Sequence, residues 1–362
     1  MRSTIRVLVV DDSALVRQML TRAISLDPRI EVVGHARTGV EAIEKARELK
    51  PDVITLDIEM PELSGLEALP HLNKHADARV VMLSSLDDPD TTYKALSSGA
   101  VDFLAKPRQG FATSINDLAE VLLKKIKTAY RVDPQRVTQV MNAVAAEDEI
   151  DAGARSGART GVEVASIVKN VVAIAASTGG PPALERVFSG LNATLPAVYL
   201  IVQHLPPGFS ASLARRISSV GDIEAVEAGN GMPLRPGTAY IAPHGAHMLV
   251  GSSGDRNGRI ILEETAPVHG LCPAADPLFE SVAKTYGRRS IGVVLTGMGS
   301  DGAQGLNVIK AAGGETIAQN EPTSVVWGMP GAAARMGAVR HTVPIGLVAA
   351  EIRRSMRGKV SA

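Results

Sequence analysis

Val7-Leu8-Val9-Val10-Asp11-Asp12-Ser13 sets four apolar residues side by side and follows them with two carboxylates and a hydroxyl. A strand with one wet face alternates apolar and polar residues, whereas an unbroken apolar run belongs to a strand covered on both sides. Ser13 is a capping residue, and the stretch from 13 to 26 has the spacing of an amphipathic helix. The same unit recurs. Apolar runs at Val53-Ile54-Thr55-Leu56, Val80-Val81-Met82-Leu83 and Val101-Asp102-Phe103-Leu104-Ala105, with a weaker one at Glu31-Val32-Val33-Gly34, alternate with helical stretches near 38–49, 64–75, 89–98 and 113–129. Thr38 and Ser64 open two of them as caps. Strands alternating with helices in this way predict a parallel sheet with helices on both faces, over residues 1–129.

Beyond that the pattern dissolves. Residues 130–166 hold Asp133-Pro134, the acidic Glu147-Asp148-Glu149 and Gly153-Ala154-Arg155-Ser156-Gly157-Ala158-Arg159, with few large apolar side chains, and read as a linker. Order resumes over 167–362. Val171 to Ala176, Ala197 to Val202, Ala239 to Ala242 and Ile291 to Leu295 read as strands, with helical stretches near 182–190, 208–219, 274–286 and 302–312. Gly251 to Gly258 sits between the β-rich runs His247 to Val250 and Arg259 to Leu262 and reads as a hairpin turn. The second domain is thus expected to be doubly wound, mainly parallel α/β, with an antiparallel hairpin.

The bulk numbers exclude several classes. With 362 residues the chain can build two ordinary cores, and 45% hydrophobic with 21% charged residues is globular. Lys plus Arg and Asp plus Glu both total 38, so no basic footprint for nucleic acid or anionic membrane exists, and aromatics for base stacking are only 3%. No run approaches the ~20 apolar residues of a membrane span, the segment after Arg6 is too short for a signal peptide, and the single Cys272 fits a reducing compartment. A cytoplasmic location is the expectation.

In an open parallel sheet, ligands bind at the carboxyl ends of the strands. There the first domain presents Asp11-Asp12, Asp57, Ser84 and Lys106-Pro107. Clustered carboxylates repel in low dielectric and call for a cation, and hard oxygen donors suit Mg²⁺. Asp57, beside such a metal, is the candidate nucleophile toward phosphorus, and the Ser84 hydroxyl and Lys106 ammonium can bond the added phosphoryl group. Asp11-Asp12, Asp57-Ile58-Glu59-Met60-Pro61, Ser84-Ser85 and Lys106-Pro107 resemble, in order and spacing, the response-regulator receiver family, a flavodoxin-like (βα)5 fold. That resemblance implies phosphorylation of Asp57, Mg²⁺ held by Asp11, Asp12 and Asp57, and phosphoryl sensing by Ser84 and Lys106.

In the second domain the run ending at Ala176 leads into Ser177-Thr178-Gly179-Gly180-Pro181. Small residues let the backbone turn tightly, which exposes Ser177 at a helix N-terminus, where free amides favour a developing anion. A serine needs a base, and Gln203-His204-Leu205-Pro206-Pro207 brings an imidazole to the same edge. The base needs a third group, and Thr296-Gly297-Met298-Gly299-Ser300-Asp301-Gly302 delivers Asp301 there. Amides of Gly297, Met298 and Gly299 are candidate oxyanion donors. Each signal has a duller reading: the glycine turn can cradle a phosphate, His204 can be structural, and Asp301 can cap the 302–312 helix. A receiver-controlled nucleotide- or phosphate-binding module is therefore the rival. A receiver-coupled transcription factor fails on charge balance and on the lack of a helix-turn-helix pattern.

These three blocks also resemble the chemotaxis protein-glutamate methylesterases of the CheB family, over most of residues 168–345 and in the same receiver, linker, esterase order. The resemblance implies a Ser177, His204, Asp301 triad supported by Thr178 and Met298, with no cofactor at the esterase site. It further implies ester hydrolysis on methyl-accepting chemotaxis receptors, accompanying deamidation of receptor glutamines, the histidine kinase CheA as phosphodonor, and an unphosphorylated receiver that covers the triad edge. One departure stands out. Where that family reads His-Arg-Pro-Ser-Val-Asp, this chain has Leu271-Cys272-Pro273-Ala274-Ala275-Asp276, with Cys272 in place of the arginine. A zinc site from His244, His247 and Cys272 is disfavoured because the two histidines flank a glycine turn and no second cysteine exists.

Overall fold

The computed structural model describes residues 4–84, 89–106, 115–133, 167–251 and 258–357. They fall into two compact units, 4–133 and 167–357. Most of the expected linker (134–166), the hairpin turn residues 252–257, Ser85 and Pro107 lie outside the described residues.

In the first unit β1 (Ile5–Val10), β2 (Ile30–Ala36), β3 (Val53–Asp57), β4 (Arg79–Ser84) and β5 (Asp102–Ala105) form one parallel sheet in the order β2-β1-β3-β4-β5. Helices α1 (Ala14–Ile24), α2 (Gly39–Leu49), α3 (Gly65–His75), α4 (Pro89–Ser97) and α5 (Ile115–Tyr130) each follow a strand, and α1 packs beside α5 while α2, α3 and α4 pack in sequence. The caps are those the sequence offers: Ser13 accepts the Val16 amide, Thr38 that of Glu41, and Ser64 forms a reciprocal capping box with Glu67. Strand β2 is longer than the weak run suggested, because it lies at the sheet edge, partly wet, and pairs with β1 through a bulge between Val7 and Leu8.

In the second unit β6 (Asn170–Ala176), β7 (Ala197–Gln203), β8 (Glu224–Glu227) and β9 (Thr238–Ile241) precede a separate antiparallel pair, β10 (His247–Gly251) and β11 (Arg259–Glu263). Then come β12 (Ser290–Val294), β13 (Glu315–Gln319) and β14 (His341–Val343). Seven strands make one fully parallel sheet, β14-β13-β12-β6-β7-β9-β8. Helices α6 (Gly180–Ser189), α7 (Ser210–Val220) and α11 (Ile345–Arg357) pack together, as do α8 (Ala275–Tyr286), α9 (Ala303–Ala311) and α10 (Met329–Arg335). Every residue of β6 and β7 is buried, which is what unbroken apolar runs between two helical layers require. Val171, Ala173 and Ala175 meet Leu278, Phe279 and Val282 of α8 and Leu306 and Ile309 of α9 in one cluster.

The order of strands also places the site. From β6 the chain steps to β7 on one side and later returns to β12 on the other. Connections leaving the two strands to opposite faces open a crevice at their carboxyl ends. Ser177 is the first residue after β6. Among the described residues no helix is long and apolar enough to cross a membrane.

Candidate functional site

Ser177 is strapped between both neighbouring strands: its amide donates to the Thr296 carbonyl at 3.0 Å, and the His204 amide donates to the Ala176 carbonyl at 3.2 Å. The Ser177 carbonyl accepts the Gly180 amide at 2.7 Å, closing a four-residue turn with Gly179 at φ 75 and ψ 4. Those angles belong to the third position of a type II turn, which strains any residue with a β-carbon. Helix α6 begins at once, with Pro181 in its first turn, and Ser177 is left half-buried at the crevice.

His204 follows β7, whose register pairs Ala176 with Gln203, so serine and histidine leave adjacent strand ends. The imidazole Nε2 lies 2.8 Å from Asp301 Oδ2. Asp301 is 1% exposed, and its carboxylate also accepts the Ala275 amide (Oδ2, 2.7 Å) and the Asp276 amide (Oδ1, 3.1 Å). These are the first amides of α8, a helix without a side-chain cap of its own. Asp301 supplies that cap, where orphan N–H groups and the positive end of the helix dipole favour an anion. The service is returned: Asp276 Oδ1 accepts the Gly305 amide at 2.7 Å in α9, the helix that starts just after Asp301 and also lacks a side-chain cap. Burial alone would push the Asp301 carboxyl up, but the His204 hydrogen bond and charge, with the two amides, hold it below the ordinary carboxylate range. An ionised Asp301 can only accept, so neutral His204 carries its proton on Nε2 and keeps a lone pair on Nδ1. Among the described residues no hydrogen bond joins the Ser177 hydroxyl to His204.

Two readings of the sequence are corrected here. Asp301 caps α8, not the helix that follows it, because Gly302 intervenes in the left-handed region. The Gly297 amide cannot serve an oxyanion, since it donates to the Val326 carbonyl at 3.0 Å, and the Gly297 carbonyl takes the amides of Gly328 and Met329. Gly297 serves by its smallness: a Cβ there would stand 2.8 Å from that of Ser177. Thr178 is buried and Met298 half-buried beside this turn.

At the receiver edge, ligand oxygens of Asp11, Asp12 and Asp57 lie within 4.8 Å of one another, the only such cluster of metal-ligating groups among the described residues. Asp11 and Asp57 are buried, Asp12 exposed. Lys106 Nζ bridges the buried pair, 2.9 Å from Asp11 Oδ2 and 2.6 Å from Asp57 Oδ2. Burial pushes the Asp57 carboxyl up to about 6 against the pull of Lys106, and the charge of Asp11 adds to the rise. Three carboxylates with one partner cation retain excess negative charge and hard oxygen donors, a set that fits Mg²⁺. The Ser84 hydroxyl, at the end of β4, hydrogen-bonds Thr92 of α4. Gly65 admits the Asp57 main chain, since a Cβ there would stand 1.8 Å from the Asp57 carbonyl oxygen.

Residues 172–352 match the CheB methylesterase family and residues 7–113 the response regulator receiver domain. A protein-glutamate methylesterase/protein-glutamine glutaminase of Pyrococcus abyssi is 42% identical over 350 residues, covering 94% of this chain and 90% of that protein. The chain belongs to the CheB methylesterase family. A Symbiobacterium thermophilum protein of the same name is 42% identical over 355 residues, 97% of each chain. The crystal structure of the Thermotoga maritima CheB methylesterase catalytic domain superposes with a TM-score of 0.51 at 33% identity, covering 52% of this chain and 99% of that one.

Cys272 is half-buried; burial, then the charge of Glu264, pushes its thiol up, away from the reactive thiolate. His247 has both ring nitrogens engaged, Nδ1 accepting the Ala274 amide at 3.1 Å and Nε2 3.3 Å from the Ala266 carbonyl, which leaves it no lone pair for zinc. Two residues that support this CheB-type site have no role in the sequence reading: Thr296, which a quoted motif contains, and Gln319, which none does. The Thr296 hydroxyl lies 3.0 Å from the Thr178 carbonyl and accepts the Val326 amide, and Gln319 Oε1 accepts the Thr296 amide at 2.8 Å. Their signal was a buried polar residue at a strand end, visible only once the ends are known to be neighbours.

Proposed function

We propose that this chain hydrolyses γ-methyl esters of glutamyl side chains on methyl-accepting chemotaxis receptors, with Ser177 as nucleophile, His204 as base and Asp301 as its orienting partner. The observation that carries the reading is the buried Asp301 carboxylate, fixed by two helix amides and hydrogen-bonded to His204 on the strand end next to Ser177. In the free chain this pair is set before the serine engages, as catalytic hydrogen bonds often tighten only around substrate.

His204 Nδ1 takes the Ser177 proton as the Ser177 oxygen attacks the ester carbonyl, and Asp301 stabilises the imidazolium. In this reading the oxyanion is met by the Thr178 amide and by amides of the turn holding Met298, each worth ~2.7–4 kcal/mol, since the first turn of α6 spends its Gly180 amide on the Ser177 carbonyl and continues with Pro181 and Pro182, which have none. Collapse expels methoxide, which leaves as methanol with the proton from His204. Water then gives its proton to His204 and its oxygen to the acyl carbon, freeing glutamate and restoring Ser177. A glutamine side chain follows the same course with ammonia leaving. Each event adds one negative charge to the receptor, which biases a two-state signalling equilibrium.

The receiver supplies control. Asp57 takes a phosphoryl group from a histidine kinase, CheA by the family pattern, and Lys106 and Ser84 then bond its oxygens. Asp11, Asp12 and Asp57 would hold Mg²⁺, which when bound neutralises charge on the transferring group. The test is methanol release from methylated receptor fragments. Wild type should release it and Ser177→Ala should not; equal release by both would refute the assignment.

A further inference from the structure

We infer that Gln203 is a positioning residue of the esterase site, holding the main chains of the nucleophile and the base in one frame. The inference rests on the roles just proposed for Ser177 and His204. Gln203 ends β7 and is 2% exposed. Its Nε2 donates to the Ser177 carbonyl at 3.0 Å and to the His204 carbonyl at 3.3 Å. The ladder between β6 and β7 stops at the Ala176 and Gln203 pair, one residue before both catalytic positions. Beyond it the His204 amide still donates to the Ala176 carbonyl, and among the described residues the Gln203 side chain alone bonds the main chains of both Ser177 and His204.

The other end of that amide shows that packing is not its purpose. Gln203 Oε1 is buried without a hydrogen-bond partner among the described residues. Turning the amide over would set an acceptor against two carbonyls, so the network fixes its orientation. A buried polar atom left unpaired costs stability, and an apolar side chain of the same shape would avoid that cost. What an apolar side chain cannot do is donate to Ser177 and His204. The turn is shaped to admit the amide: a Cβ on Gly180 would stand 1.9 Å from Gln203 Oε1. The Ser177 carbonyl thus holds two donors, Gln203 Nε2 and the Gly180 amide, which fixes the peptide plane from which the serine hydroxyl and the Thr178 amide project.

The experiment compares wild type, Gln203→Met, Gln203→Glu and Ser177→Ala as full-length chains. Gln203→Met keeps volume and loses the donor. Its kcat for methanol release should fall roughly 10- to 100-fold, the scale of a small misplacement of reacting groups, with KM nearly unchanged. The rate at which a fluorophosphonate labels Ser177 should fall in parallel. Gln203→Glu can donate only while protonated, so its activity relative to wild type should decline as pH rises through the ionisation of the buried carboxyl. A folded Gln203→Met with wild-type kcat and labelling rate would overturn the inference. Should Gln203→Met not fold, a Gln203→Glu profile parallel to wild type would overturn it instead. Methanol release by Ser177→Ala would refute the triad itself, whatever the Gln203 variants do.

Discussion

Asp301→Asn probes the most constrained part of the site. Asparagine has the shape of aspartate but replaces one acceptor oxygen with a donor, and here three donors converge: the Ala275 amide and His204 on Oδ2, the Asp276 amide on Oδ1. With its oxygen at the Oδ2 position, the NH₂ faces the Asp276 amide and one cap of α8 is lost. With its oxygen at Oδ1, the NH₂ faces both the Ala275 amide and His204, which must then move its proton to Nδ1 and cease to be a base. Setting buried donors against each other costs ~1–3 kcal/mol. Losing the anion at the helix N-terminus adds ~0.3–1 kcal/mol. Stability in urea unfolding of the second domain should therefore fall by about 1.3–4 kcal/mol. Neither orientation sets an anion against the imidazolium, so kcat for methanol release should drop about 10⁴-fold, the scale of the same exchange in another triad. A variant with kcat within about tenfold of wild type would refute the role given to Asp301.

The same carboxylate sets a pH dependence. Its folded pKa lies below the unfolded value, so its contribution is fully present above the ordinary carboxylate range and is lost as pH falls through the folded value; the stability gap between wild type and Asp301→Asn should shrink on acidification, and a gap that widens would contradict the assignment. Gly65→Ala puts a methyl 1.8 Å from the Asp57 carbonyl oxygen, so the receiver should lose about 1–3 kcal/mol in thermal unfolding and phosphorylate poorly. Acetyl phosphate should label wild type only with Mg²⁺ present and Asp57→Ala not at all; uptake that survives chelation would exclude the three-carboxylate metal site.

The fold was legible where burial forces a pattern. Strands β6 and β7, covered on both faces, could be written only as apolar runs, and Ser13, Thr38 and Ser64 cap where hydroxyls precede helices. Legibility failed at edges and in small-residue helices, and also at the inner strand β13 and the C-terminal helix α11, neither of which the sequence reading includes. Strand β8 is Glu-Ala-Val-Glu on the sheet rim, β14 has three residues, and α10 hides behind Met329-Pro330-Gly331, so none was expected. Ser177, His204 and Asp301 could be singled out as candidates because polar residues after apolar runs collect at one sheet edge. What holds them could not, because it depends on pairing across the sheet: Gln203 reaches the neighbouring strand end, Asp301 caps a helix that precedes it in the chain, and the Gly297 amide is spent on a segment about 30 residues further on.

The most direct test of the account is covalent. A fluorophosphonate should place one phosphonyl group on the Ser177 oxygen with loss of fluoride, and mass mapping should show methanol release falling in step with that label. His204→Gln should label far more slowly, and Ser177→Ala should take no label. Label on another residue, or full hydrolysis by protein fully labelled at Ser177, would contradict the claim that this hydroxyl performs the reaction.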